Sequence, residues 1–252
     1  MDYKYDFPIS TSTIAPRDAK KENTDEKIAD SHWWDRGAIP GAYSVRGPNY
    51  LKDQIKVPST PSCMELLCST FTFNREPVRN ITSLPDEVVQ KQHVGRADRP
   101  FLLVTNFLVP QIGNWVRGQE PDEVFERMLK NFVEGDDAYR NKRFKIIPGI
   151  PNGGFVVRNT VGNKPAILGT KIATKYYAGE NFIEIEVDIG SSSVALGILS
   201  VVAGYAATLD IELAFLFESQ DPSELPERVI GGICARKPLL TPPWWNDVSF
   251  FS

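Results

Sequence analysis

The sequence predicts an α+β fold, a largely antiparallel curved sheet packed on two helices. Three observations predict it. Along Phe182–Ile189, Ile183, Ile185, Val187 and Ile189 share one face, and Glu184, Glu186 and Asp188 share the other. That alternation is the pattern of a half-buried strand with its acids in water. Residues 194–209 carry no charge and follow Ser191-Ser192-Ser193, whose hydroxyls suit a helix N-cap. This run predicts an apolar helix buried nearly all round. Residues 121–134 set Val124, Phe125, Met128, Leu129, Phe132 and Val133 in one stripe behind Pro121, Asp122 and Glu123. Pro at the first position and acids in the first turn predict an amphipathic helix. Its Met and Phe stripe reads as core, not as a ligand box.

The remaining elements follow in chain order. Residues 1–37 read as an N-terminal arm, with Tyr3, Tyr5, Phe7 and Ile9 alternating with mostly polar residues near its start. Residues 38–240 read as a single domain, and 241–252 as an aromatic tail. A short strand at Tyr43 precedes a turn at Gly47-Pro48-Asn49. Met64–Phe73 reads as a strand. Pro85 opens a short helix toward Val89. Phe101–Val109 is a uniformly apolar run closed by Pro110, which predicts a central strand. Strands are expected at 143–150 and 155–161 around the hairpin signal Pro151-Asn152-Gly153-Gly154. Another is expected at 166–177, making four successive antiparallel strands before the apolar helix. Ile211–Phe217 is a further strand. Asp221-Pro222-Ser223-Glu224 resembles a capping box for a short helix to about Ile230, stopped by Gly231-Gly232.

Composition excludes several function classes. The formal net charge is −4, so nucleic acid or acidic membrane is not attracted globally, and any attraction must be local. Cys63, Cys68 and Cys234 have no metal-ligand spacing and suit a reducing, intracellular compartment. With only His32 and His93, a histidine-rich metal site is excluded. No phosphate-binding glycine loop, nucleophile elbow or zinc motif is present. The expectation is a non-enzyme without metal, cofactor or nucleic-acid partner. Residues 189–209 are uncharged, yet a helix over 194–209 spans only about 24 Å. That is short of the hydrocarbon core of about 30 Å. No transmembrane span is expected, and the protein is expected to be soluble or peripheral to a membrane.

The charge distribution is uneven. Residues 138–179 contain no Asp or Glu but hold Arg140, Lys142, Arg143, Lys145, Arg158, Lys164, Lys171 and Lys175. Lys171 and Lys175, read as one strand, share a face. Arg140, Lys142, Arg143, Lys145, Lys164, Lys171 and Lys175 are therefore candidates for binding a lipid headgroup. The competing reading is solvation and cross-strand pairing with Glu184 and Glu186. Gly197, Val201 and Gly204 are candidates for lining a cavity between sheet and helix. Trp244, Trp245, Phe250 and Phe251 are candidate partner anchors.

Five stretches, taken in order, carry a resemblance. They are Tyr43–Asp53 (YSVRGPNYLKD), Gly135–Pro148 (GDDAYRNKRFKIIP), Val161–Pro165 (VGNKP), Tyr177–Ser193 (YAGENFIEIEVDIGSSS) and Glu224–Glu227 (ELPE). Together they resemble the C-terminal domain of plant ENHANCED DISEASE RESISTANCE 2 proteins, over about residues 43–233. In those proteins the domain follows a pleckstrin-homology domain and a lipid-binding START domain. The resemblance thus implies a lipid or membrane context and supplies no catalytic residue. Neither preceding domain is expected within these 252 residues. The family's run after Tyr-Leu-Lys-Asp is usually richer in lysine than Gln54-Ile55-Lys56 here. Two functions are expected: a lipid-binding or membrane-associated module using a sheet–helix cavity and a basic face, or an interaction subunit of a larger assembly docking through its arm and tail.

Overall fold

Phe107 and Phe215 meet with ring centroids 5.9 Å apart, and this contact joins two five-stranded sheets. The computed structural model describes residues 33–70, 79–84, 101–108, 111–117 and 122–238. The first segment holds β1 (Trp33–Asp35), β2 (Ser44–Arg46), α1 (Tyr50–Asp53), β3 (Lys56–Pro58) and β4 (Met64–Thr70). A 3-10 turn at Ile81–Ser83 precedes β5 (Leu102–Phe107) and β6 (Gln111–Arg117). Next come α2 (Glu123–Glu134), α3 (Asp137–Asn141), β7 (Phe144–Asn152), α4 (Phe155–Val161), β8 (Ala166–Ile167) and β9 (Ala173–Ala178). The chain continues through β10 (Phe182–Asp188), α5 (Ser193–Tyr205), β11 (Asp210–Phe217) and β12 (Val229–Arg236).

One sheet runs β1-β12-β11-β7-β8, the other β4-β6-β5-β10-β9, and β2 pairs with β3 separately. All pairings are antiparallel except β5 with β10. The class is therefore α+β with largely antiparallel sheets, as the sequence predicts. The core lies between the sheets. Ile183, Ile185 and Val187 of β10 meet Phe144 of β7, Phe215 and Phe217 of β11, and the α2 stripe. The side chain of Asp122 caps α2 by accepting from Phe125 N at 2.8 Å. The β2–β3 pair covers the far side of the first sheet, where Tyr43 and Val45 pack on Ala214, Leu216 and Val229.

Several elements depart from expectation. Residues 155–161 form α4, not a strand, because a short apolar run has no decisive period. Gly153 makes no hairpin turn; a Cβ there would lie 2.5 Å from Leu209, so the helix-side packing requires glycine. Residues 166–177 are interrupted by a 3-10 turn at Leu168–Thr170. Lys171 therefore precedes β9, and Lys171 and Lys175 do not share a strand face. The capping box at Asp221–Glu224 forms, but it caps only one 3-10 turn. Gly231 and Gly232 lie inside β12 instead of ending a helix. A Cβ on Gly232 would meet Tyr43 at 2.7 Å, so glycine admits the covering layer. The strand β1, placed by the sequence in the arm, pairs with β12. Residues 1–32, 71–78, 85–100, 109–110, 118–121 and 239–252 lie outside the described residues, and with them Pro85–Val89, Trp244, Trp245, Phe250 and Phe251.

Candidate membrane-facing surface

The helix α5 forms where the sequence places it, with Ser192 Oγ accepting from Ala195 N as its N-cap. It is the crossover from β10 of one sheet to β11 of the other. The expectation of burial all round is wrong. Only Val202 and Ala203 are fully buried within it. Val202 joins Ile150, Val157, Ala206 and Leu209 in a second apolar cluster that packs α4 on α5. Gly197 and Gly204 are exposed, and a Cβ added at either would meet no other part of the fold within 4 Å. Val201 is half-buried at the edge of the cluster. The two glycines face outward and do not line a cavity.

The three most exposed large apolar side chains among the described residues lie on this helix pair. Phe155 is 78% exposed, Val194 72% and Val156 60%, and Tyr205 on α5 is 50% exposed. Scattered exposed apolar residues are ordinary, but these four lie on two helices packed against each other. The charge beside it is positive. Arg158 lies one turn from Phe155 on α4, exposed, with Nη2 donating to Pro151 O at 3.2 Å. Lys164 is exposed in the loop that follows. No acid occurs in the sequence between residues 138 and 179, while Asp210 of β11 pairs with Asn152 just before α4.

The other predicted cations separate into two groups. Arg140 is a structural cap: Nε donates to Phe132 O at 2.9 Å and Nη2 to Val133 O at 2.7 Å, at the C-terminal end of α2. Its guanidinium also lies 5.4 Å from the centroid of the Tyr176 ring. Arg143 donates to Glu218 O and pairs with Glu224. Lys145 is buried against Glu218 and Glu227. These three are occupied inside the protein. Lys142, Lys164, Lys171 and Lys175 are exposed. The structure does not bring them to one face with Arg140, Arg143 and Lys145.

The acids of β10 are also internal. Glu184 is fully buried and accepts from Ile81 N at 3.0 Å, Thr82 N at 2.9 Å, Thr82 Oγ1 at 2.7 Å and Asn106 Nδ2 at 3.2 Å. Glu186 accepts from Arg79 and Asn80 N, each at 2.9 Å. They pin residues 79–84 across the sheet, so neither is available to pair with Lys175 as expected. Among the described residues, no group of three or more His, Cys, Asp or Glu is placed to hold a metal ion. No described helix is long and apolar enough to cross a membrane.

Much of the resembling sequence converges in space. Arg46 Nη1 donates to Ser219 O at 2.6 Å and Nη2 to Glu218 at 3.0 Å, while Arg46 N donates to Glu227 at 3.1 Å. Arg143, Lys145 and Glu224 complete the network, joining the first, second and last of the five stretches. Comparison with known proteins agrees. The family model described as "Protein ENHANCED DISEASE RESISTANCE 2, C-terminal" matches residues 34–237. A protein from Arabidopsis thaliana described as "Protein ENHANCED DISEASE RESISTANCE 2-like" is 35% identical over 202 residues. That match covers 76% of this chain and 27% of the relative, so the chain spans about a quarter of that protein's length. No solved structure matches the chain significantly. The chain belongs to the ENHANCED DISEASE RESISTANCE 2 C-terminal family.

Proposed function

We propose that this domain is a non-catalytic, membrane-associated module that docks on an anionic bilayer through the α4–α5 face. The observation that carries the reading is the exposure of Phe155, Val156, Val194 and Tyr205 beside Arg158 and Lys164. Full burial of one such apolar side chain contributes about 1.5–3 kcal/mol, and partial insertion a fraction of that. Each cation near an anionic surface contributes about 1 kcal/mol. Stable peripheral binding needs two such signals together, and this face supplies both. The site is a surface, not the sheet–helix cavity that the sequence suggests. The anchors proposed for a purely interaction-based role lie outside the described residues, so no structural observation favours that alternative.

Co-sedimentation with phosphatidylcholine vesicles, with and without phosphatidylserine, tests the reading. Binding is expected to require phosphatidylserine and to fall at least tenfold in Phe155→Glu/Val156→Glu. Equal binding by that variant, or no binding by the unmodified chain, overturns it.

A further inference from the structure

A second apolar, basic feature lies at the other end of β11. The tip joining β2 to β3 exposes Leu51 (41%) and Ile55 (58%), and Lys52 and Lys56 beside them are exposed too. The tip is internally tied. Gly47 N donates to Ile55 O at 3.0 Å, Gln54 Nε2 donates to Tyr50 O at 3.0 Å, and Arg46 sits 4.8 Å from the Tyr50 ring centroid. Asp53, its single acid, accepts from Ile55 N at 2.8 Å, and the two lysines against this one carboxylate give the tip a formal charge of +1.

Its position follows from the contacts of β2. Tyr43 lies against Gly232, which pairs with Ala214 of β11. Three residues on, Arg46 bonds to Glu218 and Ser219, just past the C-terminal end of β11. The strand β2 therefore runs toward that end, and residues 47–55 project beyond it. The α4–α5 pair packs on Leu209 and Ile211, at the N-terminal end of β11. The strand β11 has eight residues, which is about 23 Å at about 3.3 Å per residue. The two features therefore lie near opposite ends of that strand.

We infer that the β2–β3 tip is a second docking element for anionic lipid, and that the domain bridges two lipid surfaces from opposite ends of β11. This rests on the reading of the α4–α5 face given above. Charge complementarity selects the occupant: paired lysines flanking two aliphatic side chains suit an anionic headgroup layer over an acyl region.

Dynamic light scattering of phosphatidylserine-containing vesicles mixed with the 252-residue chain tests the bridge, with co-sedimentation in parallel. The unmodified chain is expected to cluster vesicles, raising the apparent diameter several-fold. Leu51→Glu/Ile55→Glu is expected to abolish clustering while still sedimenting with vesicles through α4–α5. Lys52→Ser/Lys56→Ser leaves the apolar pair intact and is expected to weaken clustering most at low salt, where the removed charges are least screened. Binding without clustering by the unmodified chain overturns the bridge alone, as does undiminished clustering by Leu51→Glu/Ile55→Glu. Sedimentation that Phe155→Glu/Val156→Glu leaves unchanged when added to Leu51→Glu/Ile55→Glu overturns the α4–α5 reading, and the bridge with it.

Discussion

Lys145 of β7 and Glu227, two residues before β12, form an ion pair buried under the β2–β3 layer. Glu218 lies 3.2 Å from the same ammonium, and Arg46 lies 3.6 Å from Glu227. Taking such charges out of water is costly, and mutual attraction offsets the cost only while every partner is present. Glu227→Ala leaves Lys145 and Arg46 facing a lost carboxylate. It is expected to lower unfolding stability by about 3–5 kcal/mol. Urea denaturation measures this, and the double change Lys145→Met/Glu227→Leu is expected to recover much of the loss. A loss below about 1 kcal/mol in the single variant contradicts the account.

Glu184 gathers four donors within the protein, two of them the backbone amides of Ile81 and Thr82. Hydrogen bonds to a charged group contribute about 1.5–3 kcal/mol each, and donors left unsatisfied in the interior cost more than ones that were never formed. Glu184→Gln removes the charge and turns an amide NH2 toward the donors. Hydrogen exchange by NMR should show the Ile81 and Thr82 amides losing protection first, ahead of the β10 amides. Protection unchanged at those two positions excludes Glu184 as the pin of residues 79–84.

The parts of this fold legible in the sequence are those specified locally. The helix α2 is marked by an acid-rich first turn and a 3.6-residue period, and the capping box by four consecutive residues. What stays hidden depends on partners far along the chain. The alternation of β10 correctly divides its side chains between two faces, but the layer that buries Glu184 comes from Thr82, 102 residues earlier. Arg140, Arg143 and Lys145 are indistinguishable by composition from Lys164 and Lys171. The partners of Arg143 and Lys145 on Glu218, Glu224 and Glu227 are about 75–82 residues away, and those of Arg140 are backbone carbonyls. The acid-free stretch 138–179 is visible, and within it Phe155-Val156-Val157-Arg158 is the signal for the candidate face. Reading those residues as a strand conceals that Phe155, Val156 and Arg158 lie on the outside of a helix whose Val157 is buried.

Arg140 and Lys164, equal in the sequence, are expected to behave oppositely. Arg140→Ala opens two carbonyls at the end of α2 and removes the ring contact with Tyr176. Its expected cost is about 1.5–3 kcal/mol of stability. Lys164→Ala, at an exposed loop position, is expected to change stability by less than about 0.5 kcal/mol. Vesicle affinity is expected to respond to Lys164 and not to Arg140 once both proteins are folded. Paired denaturation and co-sedimentation read out both variants, and the reverse assignment would refute the division of the cations.

Burial pushes the thiols of Cys63 and Cys234 up to about 12, with nearby carboxylates, Asp122 for the first and Glu212 for the second, adding to it. The ordinary value is about 8.5. A folded value above the unfolded one means that folding favours the protonated thiol. That contribution is complete below about pH 8.5 and is lost as the pH climbs toward about 12. At pH 8 the native thiols are held protonated, whereas about a quarter of an unfolded thiol is thiolate. Iodoacetamide at pH 8 is therefore expected to leave Cys63 and Cys234 unmodified in the native protein and to alkylate both in urea. Peptide mass mapping distinguishes the two sites. Rapid native alkylation at Cys234, which is buried in β12 between β1 and β11, would mean that this edge of the first sheet opens far more readily than its pairing implies.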